Sequence, residues 1–149
     1  MKLLELGFIA TGCLAVAMAV PTISATAQNT ISTKQIVDLG ARDLRQTHFD
    51  KYGAVYIATL PSGTQVEIDL RANGRIDEIE AQDRRGFPLA EVASLLPRSV
   101  LEQPDFTNDF RVEKLELDDK IELGGVFQDR TELEAVFSAD GQLRELKRH

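Results

Sequence analysis

Two eighteen-residue windows of this chain, residues 64–81 (TQVEIDLRANGRIDEIEA) and 131–148 (TELEAVFSADGQLRELKR), carry one pattern at an offset of 67 residues. They share Thr64/Thr131, Glu67/Glu134, Ala72/Ala139, Gly74/Gly141 and Glu78/Glu145. Their apolar positions also coincide, at Val66/Leu133, Leu70/Phe137, Ile76/Leu143 and Ile79/Leu146. Val66, Ile68 and Leu70 alternate with Glu67 and Asp69, the period of a strand with one wet face. Asn73-Gly74 and Asp140-Gly141 then read as tight hairpin turns, because these residues accept positive φ. Gly74 and Gly141 are therefore the structural turn glycines. Beyond each turn the apolar residues lie three apart instead of two, which predicts a bulge or an early strand end.

The sequence between the windows supplies the other elements. Ser32-Thr33-Lys34-Gln35 resembles a capping box. Val37, Ala41, Leu44 and His48 follow at helical spacing, predicting an amphipathic helix of three to four turns that lies on a sheet. Residues 52–59 (YGAVYIAT) are rich in strand formers, and 61–63 (PSG) form a turn. The polar stretch 81–87 (AQDRRGF) is the best candidate boundary. Pro88 opens a short helix that buries Leu89, Val92, Ala93 and Leu96, and Pro97 opens another. Further strands are predicted around Val112, Leu115 and Leu117, over 121–127 with Gly124-Gly125 as a bulge, and through Leu143 and Leu146. The expected fold is α+β: two tandem helix-plus-antiparallel-β-meander units, residues 28–83 and 84–149, with helices packed on one sheet face. Each unit alone is marginal in size, so the two are expected to share a core or pack closely.

The first 27 residues are read separately. Lys2 provides a short positive region, residues 8–20 (FIATGCLAVAMAV) are continuously apolar, and Ala25-Thr26-Ala27 offers a small-x-small cleavage site. As a helix this run reaches only about 20 Å, against about 30 Å for a bilayer core, so no stable membrane span is expected. A signal peptide over 1–27, cleaved after Ala27, is predicted, with a periplasmic or secreted product. Ala10-Thr11-Gly12-Cys13 loosely resembles a lipoprotein box, but the apolar run continues past Cys13, so lipidation there is the lesser reading. Beyond Ala27 no cysteine remains for a disulfide. The formal charge of −7 is unchanged by removing Lys2 and Glu5. Such an acidic chain is a poor partner for nucleic acid or anionic lipid.

In the strand, Asn/Asp-Gly, Ile/Leu-x-Glu-Ile/Leu pattern, and in Leu96-Pro97-x-x-Val100 ahead of the second copy, the chain resembles the PepSY-like family of small exported domains. The resemblance extends over residues 28–149. It implies a fold similar to that of proteinaceous β-lactamase inhibitors. It also implies a non-enzymatic module that binds a peptide or envelope protein, as an inhibitor or modulator of a peptidase or another envelope protein.

Other chemistry was weighed against the hairpin reading. Asp69, Asn73, Gly74 and Glu80 fall on calcium-loop positions, but Arg71 takes a ligand position and the flanks read as strands. The echo window replaces Asp69 by Val136 and Glu80 by Lys147, so no calcium loop is expected. His48 on the helical stripe and His149 at the end of the sequence make no transition-metal site without cysteine. No serine lies in a nucleophile elbow. Asp77-Glu78 and Asp118-Asp119 read as solvated charge and as a turn. Arg84-Arg85 beside Gly86-Phe87 is a local basic-aromatic cluster, read as linker first and as a contact for an acidic partner second. No catalytic, cofactor-binding or metal residue is assigned, and no cofactor is expected. The leading expectation is a binder that uses exposed sheet or a strand edge. The alternative is a small-ligand binder or enzyme with a pocket between helix and sheet.

Overall fold

The computed structural model describes residues 31–149. The signal segment, its Ala27 cleavage site and Cys13 lie outside the described residues. From Ile31 the chain forms a short helix α1 (Lys34–Asp38), then strands β1 (Arg42–Phe49), β2 (Gly53–Thr59), β3 (Gln65–Arg71) and β4 (Ile76–Ala81). A two-residue strand β5 (Phe87–Pro88), a 3-10 helix (Leu89–Leu95) and α2 (Arg98–Leu101) follow. The remainder is β6 (Arg111–Leu117), β7 (Lys120–Val126), β8 (Glu132–Ser138) and β9 (Leu143–Arg148). All pairings are antiparallel, in the order β1-β2-β3-β4-β6-β7-β8-β9, with β5 attached to β6. The bounds of β2, β3 and β4 return at the 67-residue offset as those of β7, β8 and β9.

This overturns the expected α+β fold of two helix-plus-meander units. The described residues form a β-rich fold: one nine-stranded sheet carrying three helices of 5, 7 and 4 residues. The decisive segment follows Asp38. Gly40 takes φ +73 and stops the helix, its N–H bonded to the Val37 carbonyl at 2.9 Å. Residues 42–49, expected to continue the helix, instead pair with β2 as an edge strand. The spacing of Val37, Ala41, Leu44 and His48 thus runs across a helix, a turn and a strand, and Val37 is 59% exposed. The capping box does not close either. Gln35 Oε1 accepts the Ile76 N–H at 2.7 Å, tying α1 to the start of β4.

One face of the sheet is apolar because the alternation of each strand is in register with its neighbours. Tyr56, Ile68, Ile79, Leu115, Leu123 and Ala135 stand opposite one another in turn across six strands, all buried. Ile36 from α1, Val92 from the 3-10 helix and Val100 from α2 cover this face, all three fully buried. Each such side chain contributes about 1.5–3 kcal/mol by leaving water. At one end Phe106 stacks on Phe110 with ring centroids 5.0 Å apart, and Phe110 meets Phe127 at 5.3 Å. Gly125 makes room for that cluster, since a Cβ there would overlap the Phe110 ring and the Arg111 carbonyl.

The irregular apolar spacings are bulges. Register shifts fall between Asp69 and Leu70 opposite Glu78 and Ile76, and again between Val136 and Phe137 in the second copy. The bulge expected at Gly124-Gly125 lies across from them, in β6 between Val112 and Lys114.

Candidate functional site

Among the turn glycines, Gly74 has φ +79 and a Cβ there would come within 2.9 Å of the Ser32 carbonyl oxygen. Gly141 has φ +87, and a Cβ would overlap Ser99 Oγ and crowd Pro97 Cβ at 2.8 Å. The Gly74 turn is therefore packed against Ser32, just ahead of α1, and the Gly141 turn against Pro97 and Ser99 at the start of α2. Ser99 Oγ donates to the Gly141 carbonyl at 3.0 Å. These glycines serve architecture, and the exposed chemistry lies elsewhere.

The solvent face of the sheet carries rows of carboxylates. Asp69, Glu78, Glu116 and Glu122 stand side by side on β3, β4, β6 and β7. In the adjoining row Glu67 faces Glu80, and Glu80 faces Lys114. Burial together with the Glu67, Asp77 and Glu80 charges pushes the Asp69 carboxyl above its ordinary range. Glu78 is also pushed up, chiefly by burial, against the pull of Lys114. Lys114 Nζ lies 2.6 Å from Glu116 and 3.4 Å from Glu78, and the Glu116 contact raises its own pKa. The absent side chain of Gly124 leaves a hollow of about 190 Å³ beside this row, lined by Glu122, Glu134 and Val136 among others.

Of the two acid pairs singled out in sequence, one member of each meets at a shared cation. Arg71 binds Asp77 at 2.5 Å and Asp118 at 2.6 Å, so each of these acids has a cation. His48 lies exposed on β1, its Nε2 3.4 Å from Asp50 and away from the core edge where helical periodicity would put it. His149 closes β9, exchanging both main-chain hydrogen bonds with Glu132. Among the described residues no group of three or more His, Cys, Asp or Glu is arranged to hold a metal ion.

The two edges of the sheet differ. β1 is interrupted by register shifts between Arg42 and Arg45 and between Gln46 and His48, and Asp43 adopts φ +56. Such irregularity blunts an edge against further pairing. Beyond its one bulge, β9 pairs in register with β8 from Val136↔Glu145 to Leu133↔Arg148, and its outer main chain is unpaired among the described residues. Leu143 and Leu146 are 40% and 36% exposed on it. Their counterparts in β4, Ile76 and Ile79, are 3% and 0% exposed, and β6 pairs along that edge from Glu78 to Glu80, setting Leu115 against Ile79. Apolar matching in sequence set Leu143 and Leu146 level with Ile76 and Ile79 and could not tell the two pairs apart. The exposure of Leu143 and Leu146 follows from being last in the strand order, which no local pattern encodes.

No family model and no curated protein matches the chain. One similar solved structure is a protein of unknown function from Bacteroides vulgatus, described as periplasmic. It is 16% identical, with 77% of this chain and 88% of that chain covered and a TM-score of 0.48. Among the described residues no helix is long and apolar enough to cross a membrane.

Proposed function

We propose that this chain is an exported, PepSY-like, non-enzymatic binding module that takes an extended segment of a peptide or envelope protein onto β9 as an added strand. The observation that carries the reading is the pair Leu143 and Leu146, part-exposed at an open edge, where the equivalent pair in β4 is buried and Ile79 faces Leu115 of the next strand. An added strand would supply both the missing main-chain hydrogen bonds and the missing cover. Glu145 and Lys147 stand on the solvent face of the same edge. They select against indiscriminate pairing and ask for a segment of complementary charge around an apolar residue. A peptidase or another envelope protein is the class of target that the PepSY-like resemblance implies, and export follows from the predicted cleavage after Ala27.

Site-specific photo-crosslinking in cells tests the reading. A crosslinker at position 146 is expected to give discrete adducts that a crosslinker at position 98, on the helical side, does not give. Equal adduct patterns, or none from position 146, would overturn the edge as the binding surface. Intact mass of the exported product tests the cleavage, and a product beginning at Met1 would remove the signal-peptide reading.

A further inference from the structure

Arg84 and Arg85 sit in the connection between β4 and β5, and the fold brings two distant arginines to them. Arg111 opens β6 beside Gly86, and Arg130 lies in the β7–β8 turn with φ +71. Together with Asn108, Asp109 and Gln128 these four line a hollow of about 590 Å³ floored by Val126 and Phe127. Asp109 is the one carboxylate among the lining residues, and its Oδ1 accepts the Thr107 hydroxyl at 2.5 Å. Arg85 is met by Asp83 at 2.8 Å. Among the described residues Arg84, Arg111 and Arg130 have no carboxylate within salt-bridge distance, and Arg111 reaches only the Gly86 carbonyl, at 3.5 Å. The chain as a whole carries −7. Three guanidinium groups with no carboxylate in direct contact therefore line one concavity of an acidic protein, the Glu113 and Asp83 charges reaching Arg84 and Arg111 only at longer range.

We propose that this hollow is a binding site for a small organic molecule bearing two or more oxyanion groups, carboxylate or phosphate, on an apolar body. Guanidinium groups match both oxyanions through paired N–H donors in one plane. Val126, with the small part of Phe127 that reaches solvent, offers the apolar floor for the body of the ligand, the Phe127 ring itself being packed on Phe110 and under Arg148, and the volume falls within the usual range for small-molecule sites. Arg148 of β9 lies over the Phe127 ring, 5.1 Å from its centroid, so the hollow adjoins that strand, but the proposal does not rest on the β9 reading.

The test is calorimetric titration of the protein at low ionic strength with benzene-1,3-dicarboxylate and with 1,3-phenylene bisphosphate, and with benzene-1,3-dicarboxamide as the uncharged control. Binding of at least one anion with a Kd of about 1 mM or tighter is expected, with none for the diamide. Binding by one anion alone identifies which oxyanion the site prefers. The double variant Arg84→Gln/Arg130→Gln is expected to weaken binding by about tenfold or more, as is a rise in salt to physiological strength. Arg144→Gln, on β9, is expected to leave it unchanged. Amide shifts on titration should centre on residues 84–86, 108–111 and 126–130. Absence of binding by both anions, equal affinity in the double variant, or shifts centred elsewhere would overturn the assignment.

Discussion

Ile79 stands directly opposite Leu115 across the β4–β6 pair, and both are fully buried. Their contact joins the strands before the polar connection at 81–87 to those after it, so one sheet and one core run through both halves. Ile79→Ala is expected to cost about 2–5 kcal/mol, the range for emptying a buried aliphatic position. Leu146→Ala, at the equivalent position in β9, is expected to cost less than about 1 kcal/mol, because Leu146 is already in part solvated. Urea denaturation of the two variants measures the contrast, and similar midpoints would contradict the burial assigned to them.

Gly141 and Gly63 separate two costs that usually arrive together. Both have positive φ, +87 and +90, but a Cβ at Gly63 meets nothing within 4 Å whereas one at Gly141 overlaps Ser99 Oγ. Gly63→Ala is expected to lose about 1–2 kcal/mol, the cost of a left-handed conformation for an L-residue. Gly141→Ala is expected to lose more than Gly63→Ala, since the α2 clasp must also shift. Combining Gly141→Ala with Ser99→Ala should recover part of the difference while forfeiting the Ser99 hydrogen bond to the Gly141 carbonyl. Thermal melts of the three variants against wild type decide the order.

The carboxylate rows predict a pH effect of definite sign. Burial first, then the neighbouring acids, raise the Asp69 pKa above its ordinary value of 3.8. A carboxyl whose folded pKa exceeds its unfolded one binds more protons when folded, so its contribution to stability falls as pH rises through that interval. The penalty is complete above the raised value and absent below the ordinary one. Asp69→Asn is therefore expected to stabilise the protein at pH 7 by about 0.2–1 kcal/mol, the scale for relieving like charges on adjacent strands. The gain should vanish near pH 3. Asp50, Asp83, Asp129, Asp140 and Glu145 shift the other way but are common to both proteins, so the difference curve reports Asp69 together with the charge it removes from beside Glu78. A difference that grows toward low pH would refute the assignment.

Lys114 should behave in the opposite sense. Its ammonium lies between Glu78 and Glu116, and removing it leaves two neighbouring acids facing each other without a cation. Lys114→Gln is expected to destabilise the protein at pH 7 and to approach wild type as both carboxyls protonate. Urea midpoints at pH 7 and pH 3 check it.

The strands were legible in the sequence to the extent that their signals were local. Val66, Ile68 and Leu70 alternate, Gly74 and Gly141 take the positive φ that a tight turn needs, and the three-residue spacings are bulges. Residues 42–49 were misread because Val37, Ala41, Leu44 and His48 mimic a helical stripe, while the stop at Gly40 and the pairing with β2 outweigh that spacing. What distinguishes Leu146 from Ile79 was not legible at all. The two occupy matching places in matching windows, and only the order of strands in the sheet makes one core and the other edge. The same holds for the arginine hollow, where Arg84-Arg85 stood out in sequence but Arg111 and Arg130 reach it only through the fold.

The main-chain polarity of β9 gives the most direct view of the proposed binding edge. His149 exchanges both hydrogen bonds with Glu132, which sets the alternation of an antiparallel ladder along the strand. Lys147 and Glu145 then direct their main-chain groups toward β8, opposite Glu134 and Val136, while Arg148 and Leu146 direct theirs outward. In the free protein the amides of Leu146 and Arg148 are expected to exchange with solvent much faster than those of Glu145 and Lys147. A partner strand laid on this edge would protect the first pair and leave the second as it was. Residue-resolved hydrogen exchange with and without a crosslinked partner reads both states. Slow exchange at Leu146 in the free monomer would mean that the edge is already covered, and protection on binding that skips Leu146 and Arg148 would place the partner elsewhere on the sheet.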